Sequence, residues 1–141
     1  MIMEEVKPSI LVSLFKRKGG EGEYTKIVSE NNLPENLALS DFDSDEIGLI
    51  ICYKSNSDWF LLSNKRIRSS HEGNTIDLNI QDLKEVTLAM QEEFKDGIQN
   101  KNDFTRLRIT DKNGSSNLLY LEKGLAYEGL YQVLHFLASK N

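Results

Sequence analysis

The sequence predicts a mainly β, α+β fold in which seven antiparallel strands are followed by a C-terminal helix. Between Glu46 and Leu121, apolar residues recur at every second position in short runs that turn-forming residues separate. After Gly124 the apolar spacing becomes that of an amphipathic helix. The chain has 141 residues, of which 39% are hydrophobic, and this is sufficient for a domain that folds around its own core.

Residues 1–43 are predicted to form an N-terminal helical segment and a linker. Pro8 suits the first turn of a helix, and Gly19-Gly20 marks its end. The apolar stripe of this helix consists of Ile10, Leu11, Leu14 and Phe15. A second, short helix is expected from Glu23 to Glu30, and an acidic, turn-prone stretch then leads into the main domain, residues 44–141.

The seven strands of the main domain alternate apolar and polar residues, as in an antiparallel sheet with one solvated face. They are Ile47–Tyr53, Trp59–Leu62, Arg66–Ser70, Thr75–Ile80, Glu85–Phe94, Arg106–Thr110 and Leu118–Leu121. Asn113-Gly114 joins the last two, because this pair readily adopts the positive φ of a tight hairpin turn. The fifth segment also fits a helix, through Leu83, Val86 and Met90, but Val, Thr and Phe favour a strand.

The C-terminal helix is predicted to follow Gly124. One broad apolar face is formed by Ala126, Leu130, Val133, Leu134 and Leu137. Tyr127, Tyr131 and Phe136 flank that face, while Glu128 and Gln132 point outward. The helix therefore has an apolar surface broad enough to cover part of the sheet.

Two segments of the main domain resemble the pleckstrin-homology-like (PH-like) and GRAM-like domains of bacteria. Asp58–Ile67 is similar to the family signature of an aromatic residue, Leu, Ser or Thr, Asn, Lys-Arg and Ile. Ile80–Val86 is similar to the Ile-to-Val spacing with which the family enters its fifth strand. The resemblance covers residues 44–141 and implies a seven-stranded bent sheet that closes into a barrel, with the C-terminal helix plugging one open end.

The resemblance also implies a function. It indicates a non-catalytic binding or assembly module that contacts a partner protein or itself, often as a homo-oligomer, and that needs no cofactor. Two alternatives remain open. One is binding of a phosphoinositide or another anionic lipid head group, and the other is an acidic inhibitor or immunity protein that meets a basic partner.

The candidate anion site consists of Lys54, Lys65, Arg66 and Arg68. Lipid-binding PH domains carry a similar Lys followed by Arg-x-Arg, and guanidinium groups match phosphate oxygens in geometry. Arg66 and Arg68 are, however, predicted on the third strand, whereas the family's lipid site draws them from the second. Solvated strand residues that protect an edge from aggregation are the competing interpretation.

The remaining polar residues do not predict catalysis or metal binding. His71 and His135 have no ligand or catalytic partner at a suitable spacing, and Cys52 lies in an apolar run where a thiol packs as a small hydrophobe. The acidic run Asp41, Asp43 and Asp45 lacks the Gly and Glu that a calcium loop requires. We therefore expect a protein that is not an enzyme.

Charge and composition restrict the partners. The formal net charge is −5, so nucleic acid is not an expected ligand, and the aromatic residues of the sheet and helix are assigned to packing. The acidic N-terminus does not resemble a signal peptide, and one cysteine cannot form an internal disulfide. The expected location is the cytoplasm.

Overall fold

The structure, a computed structural model, describes residues 6–29, 34 and 42–141. The helices in this part of the chain are α1 (Pro8–Lys18), α2 (Met90–Lys95) and α3 (Leu125–Ser139). The strands are β1 (Thr25–Ile27), β2 (Gly48–Ser55), β3 (Asp58–Ser63), β4 (Arg66–His71), β5 (Asn74–Asn79), β6 (Leu83–Leu88), β7 (Arg106–Asp111) and β8 (Ser116–Tyr120). Short 3-10 turns cover Ile80–Asp82 and Lys101–Asp103.

The strands of the described residues form two antiparallel sheets. Sheet A has the order β1-β2-β3-β4-β5, and sheet B has the order β6-β7-β8. Each of the seven predicted strand segments overlaps one of the strands β2 to β8, and α1 and α3 lie where helices were predicted. The mainly β, α+β class is therefore confirmed.

Two element predictions are wrong. The segment predicted as a helix from Glu23 to Glu30 contains β1, whose Thr25 lies opposite Cys52 of β2; Glu30 itself is outside the described residues. Pairing with the edge of β2 outweighs the helical spacing, and β-branched residues suit a strand. The predicted strand Glu85–Phe94 ends at Leu88, and α2 begins two residues later.

The side chains of α2 explain why the strand stops. Glu93 is buried, and its Oε1 lies 3.1 Å from Nε of Arg106 on β7. The guanidinium group of Arg106 also contacts Asp96, and Arg108 contacts Glu92. A helix brings these carboxylates, three and four residues apart, to one side, where they meet the two arginines of β7. The ion pairs hold α2 against sheet B.

The main core draws on both sheets, α1 and α3. Its strand residues lie on the inner faces of the sheets: Ile50, Cys52, Phe60, Leu62 and Ile67 from sheet A, and Val86, Leu107, Ile109 and Leu119 from sheet B. Helices α1 and α3 contribute Leu11, Phe15, Tyr127, Leu130, Val133, Leu134 and Leu137. The apolar stripe predicted for the C-terminal helix is therefore the face that α3 buries.

The outer face of sheet A carries a second, smaller cluster. Ile51 and Leu61 are buried there, with Tyr53 and Trp59 beside them. Val28, which follows β1, and Phe42 pack against this cluster. Val28 and Phe42 thus contact the outer face of the sheet, while α1 packs against α3.

Helices α1 and α3 meet through two glycines. A Cβ atom on Gly19 would lie 2.0 Å from the carbonyl oxygen of Leu125 and 2.5 Å from the backbone nitrogen of Gly129. A Cβ atom on Gly129 would lie 2.7 Å from Cδ1 of Phe15. The two backbones can approach this closely only because neither position has a side chain.

We expect Gly19→Ala to lower the free energy of unfolding by about 1–3 kcal/mol or more, because its methyl group would overlap backbone atoms that cannot move aside. Gly129→Ala should also destabilise, despite the better helix propensity of alanine. Urea unfolding monitored by circular dichroism measures both. Ser13→Ala, on the exposed face of α1, is the matched control and should leave the stability nearly unchanged.

Glu122 ties β1 to the segment between β8 and α3. Its carboxylate accepts hydrogen bonds from the backbone N–H groups of Glu23, at 2.6 Å, and Tyr24, at 3.0 Å, and from Oγ1 of Thr25, at 2.8 Å. Partial burial acts to raise the pKa of Glu122, but these donors favour the charged form and hold the pKa below its ordinary value.

The stability that Glu122 contributes should therefore depend on pH. Because its pKa is lowered by folding, the contribution is present above the unfolded-state pKa, about 4.5, and is lost as the pH falls through the folded-state value. We expect Glu122→Gln to cost about 2 kcal/mol at neutral pH. Urea unfolding of both proteins across the acid range should show the difference shrinking as the pH falls; a difference that does not change with pH would contradict this assignment.

Candidate functional site

The four predicted anion-binding residues do not converge on one surface. Lys54 lies on the face of sheet A opposite Tyr53, and its Nζ donates to the carbonyl oxygen of Leu121 at 2.8 Å. Lys65 lies in the turn between β3 and β4, where its Nζ is 2.9 Å from Oδ2 of Asp45. Both ammonium groups therefore contact oxygen atoms of this chain.

Arg66 is bound to a buried carboxylate. Its Nε and Nη2 donate to the two carboxylate oxygens of Glu46, at 3.0 and 3.1 Å, and its Nη1 donates to Asp77 at 3.0 Å. The side chain of Glu46 is fully buried and also accepts from Oγ of Ser63 at 2.5 Å. Burial alone acts to raise the pKa of Glu46, but these hydrogen bonds hold it below its ordinary value.

Arg68 lies on the same face of β4 as Arg66, with its guanidinium carbon 5.9 Å from the ring centre of Trp59. Its Nη1 is buried and has no hydrogen-bond partner among the described residues. Arg66 and Arg68 thus share a face that Lys54 does not, and the Arg66 guanidinium is already occupied by two carboxylates.

We expect Arg66→Ala to lower the free energy of unfolding by about 3–5 kcal/mol, because it leaves the charge of Glu46 buried and unpaired. Arg66→Lys keeps a charge but loses the bidentate contact, so its stability should be intermediate. Chemical unfolding of the three proteins measures the order. Equal stability of wild type and Arg66→Ala would show that the pair has no structural role, and the arginine would then be available for an anion.

A different surface has the geometry of a binding site. In the part of the chain that the structure describes, β6 is hydrogen-bonded to β7 and to no other strand. The N–H of Ala89 donates to the carbonyl oxygen of Arg106, so alternate residues of β6 face β7. Val86 and Leu88 therefore direct their N–H and C=O groups away from β7, and α3 packs against the same strand.

Helix α3 and the edge of β6 enclose a groove of about 350 Å³, here called the β6–α3 groove. The strand wall is Lys84, Glu85, Val86 and Thr87, and the helix wall is Tyr131, His135, Ala138 and Ser139. The rings of Tyr131 and His135 are 5.7 Å apart, and the small side chain of Ala138 leaves room beside them. One wall of the groove therefore carries aromatic side chains of α3, and the other is formed by β6.

Asn141 binds the backbone at the start of β6. Its Nδ2 donates to the carbonyl oxygens of Ile80, at 2.8 Å, and Leu83, at 2.5 Å, at the start of β6. The backbone groups available to a ligand therefore begin beyond Leu83. Val86 and Leu88 supply two donors and two acceptors, which is sufficient for a short extended segment.

The two histidines lie in different places. Nδ1 of His71 is 3.2 Å from Oδ1 of Asp58, and its ring stacks on Tyr120 at 3.6 Å, which joins the end of β4 to β8. His135 lines the β6–α3 groove. Cys52 is buried, and burial raises the pKa of its thiol, so it is a poor nucleophile.

Residues 6–29, 34 and 42–141 contain no group of three His, Cys, Asp or Glu side chains that could hold a metal ion. Asp41, the first residue of the acidic run considered for calcium, lies outside those ranges. Within the same ranges, no helix has the length and apolar composition to cross a lipid bilayer.

The β6–α3 groove was not predicted from the sequence. Its strand wall depends on which side of β6 is left unpaired, and strand order is not visible in a hydrophobic pattern. The sequence does place Tyr131, His135 and Ala138 at helical spacing next to the apolar stripe of α3, and this pattern could have indicated the helical wall of the groove. Models of known protein families, characterised proteins and solved structures show no match to the chain.

Proposed function

We propose that this chain is a non-catalytic protein-binding module of PH-like architecture, which binds an extended segment of a partner as an additional strand on β6. The observation that carries the proposal is the β6–α3 groove, lined by Val86 on the strand side and by α3 on the other, together with the N–H and C=O groups of Val86 and Leu88, which β7 does not use. Strand addition of this kind is a recurring mode of peptide recognition.

The order of elements supports the PH-like architecture. Strands β2 to β5 follow one another in sheet A, β6 to β8 follow in sheet B, and the C-terminal helix α3 packs against β6 and the core. A PH-like domain has the same succession of a first sheet, a second sheet and a closing helix. In this interpretation α1 and β1 are additions at the N-terminal side.

The two walls of the groove would contribute differently to binding. Backbone hydrogen bonds to Val86 and Leu88 would hold any extended segment, whereas alternate side chains of that segment would point toward Tyr131 and Ala138. The wall next to Ala138 favours an apolar or aromatic side chain of moderate size. Lys84 and Glu85 have opposite charges, so binding should depend weakly on salt, unlike the binding of a basic partner by an acidic inhibitor.

The test uses peptides selected from a displayed random library on the full chain. We expect Ala138→Arg, which fills the groove, to weaken binding of a selected peptide by about tenfold or more. Leu125→Arg is the matched control, because it places the same side chain on an exposed position of α3 outside the groove, and it should bind as wild type does. Isothermal titration calorimetry measures both.

The location of the peptide is tested separately by NMR. Binding should shift and protect the amide protons of Val86 and Leu88, which the ladder with β7 does not use. Peptides that bind Ala138→Arg as tightly as wild type, or that leave these two amides unchanged, would contradict the proposal.

A further inference from the structure

Strand β5 forms a regular edge of sheet A, as β8 does of sheet B. All six of its residues, Asn74–Asn79, pair with β4 without a bulge, whereas the β2–β3 and β6–β7 ladders are both irregular. Among the described residues no strand pairs with its other side. Two clefts, of about 170 and 430 Å³, separate this edge from the β7–β8 hairpin, and the side chains of Asn74, Thr75, Asp77 and Asn79 are exposed.

The ladder determines which backbone groups this edge presents. The N–H of Ile80 donates to the carbonyl oxygen of Lys65, and the alternation along the strand then turns Leu78 and Ile76 toward β4. Thr75 and Asp77 therefore direct their N–H and C=O groups outward. The side chains of both residues are exposed, and Ile76 between them is half-buried.

The usual protections of an edge strand are missing from β5. It contains no proline, no lysine and no bulge, and its one charged residue, Asp77, is held by Nη1 of Arg66 at 3.0 Å. The opposite edge of sheet A, β1, has only three residues, and β6 is flanked by α3. An exposed, regular and nearly neutral edge is a surface on which another strand pairs.

We infer that the β5 edge pairs antiparallel with β5 of a second copy of this chain, about a two-fold axis that passes beside Ile76. In this register Thr75 lies opposite Asp77 of the second copy, and the two Ile76 side chains face each other. Four backbone hydrogen bonds result, and each Thr75 hydroxyl can donate to a carboxylate across the interface.

Charge and the position of the β4–β5 turn favour this register over the two adjacent ones. A two-fold axis beside Asp77 would place two carboxylates directly opposite each other, which is unfavourable. An axis beside Thr75 would place Asp77 opposite Gly73, which lies in the turn with φ +84° and cannot extend a ladder. The register centred on Ile76 opposes no like charges, so the edge is complementary to itself. This contact is independent of the β6–α3 groove, which lies on sheet B.

Sedimentation velocity on the full chain tests the inference first. We expect the protein to shift from monomer to dimer between micromolar and millimolar concentration, with no higher species, because a two-fold contact closes. Hydrogen exchange should show that the Thr75 and Asp77 amides are protected in the concentrated sample and exchange rapidly on dilution. A monomer at millimolar concentration, or a dimer in which these two amides exchange rapidly, would overturn it.

Two substitutions at one position provide the matched comparison. Thr75→Pro removes an N–H that the β4 ladder does not use, and proline is tolerated in edge strands, so the fold should persist. It removes two of the four interface hydrogen bonds and should raise the dimer Kd by about tenfold or more. Thr75→Val keeps the N–H and should still form the dimer. Equal dimerisation of Thr75→Pro and Thr75→Val would also overturn the inference; should Thr75→Pro fail to fold, the exchange experiment on wild type decides.

Discussion

The carboxylate of Glu46, two residues before β2, is fully buried, and an unpaired charge there would be very costly. Arg66 neutralises it with two parallel hydrogen bonds and uses its remaining amino group for Asp77 on β5. This contact joins the segment before β2, the start of β4 and the middle of β5. Because its guanidinium group binds both carboxylates, Arg66 stabilises the fold. Asp77, the one charged residue of β5, is paired by the same contact.

The two proposed contacts use edges that the fold leaves in different surroundings. β6 lies beside α3, so a segment bound there meets a shaped wall that can select side chains. β5 borders a cleft and has only its own regular backbone to present, so symmetry and register determine what pairs with it. Since the edges belong to different sheets, a dimer would carry two grooves, and a partner with repeated segments would gain avidity from binding both.

Much of the secondary structure was predictable, because a period of two and a period of 3.6 differ clearly in segments such as β5 and α3. The prediction failed where a local preference met a tertiary partner. Thr25 pairs with Cys52, which is 27 positions further along the chain, and Glu93 lies in a helix that brings it to Arg106. The candidate anion residues were identified from their chemistry, but the faces and carboxylates they meet, above all Glu46 for Arg66, depend on strand order.

The sequence by itself determined the class of fold, the positions of most strands and the apolar face of α3, because these depend on residue type and short-range spacing. Only the tertiary structure decided which strand edges stay unpaired, which face of α3 borders β6, and how closely Gly19 approaches Gly129. Those features arise when residues distant in the chain meet, and a hydrogen bond between such residues leaves no periodic trace in the sequence.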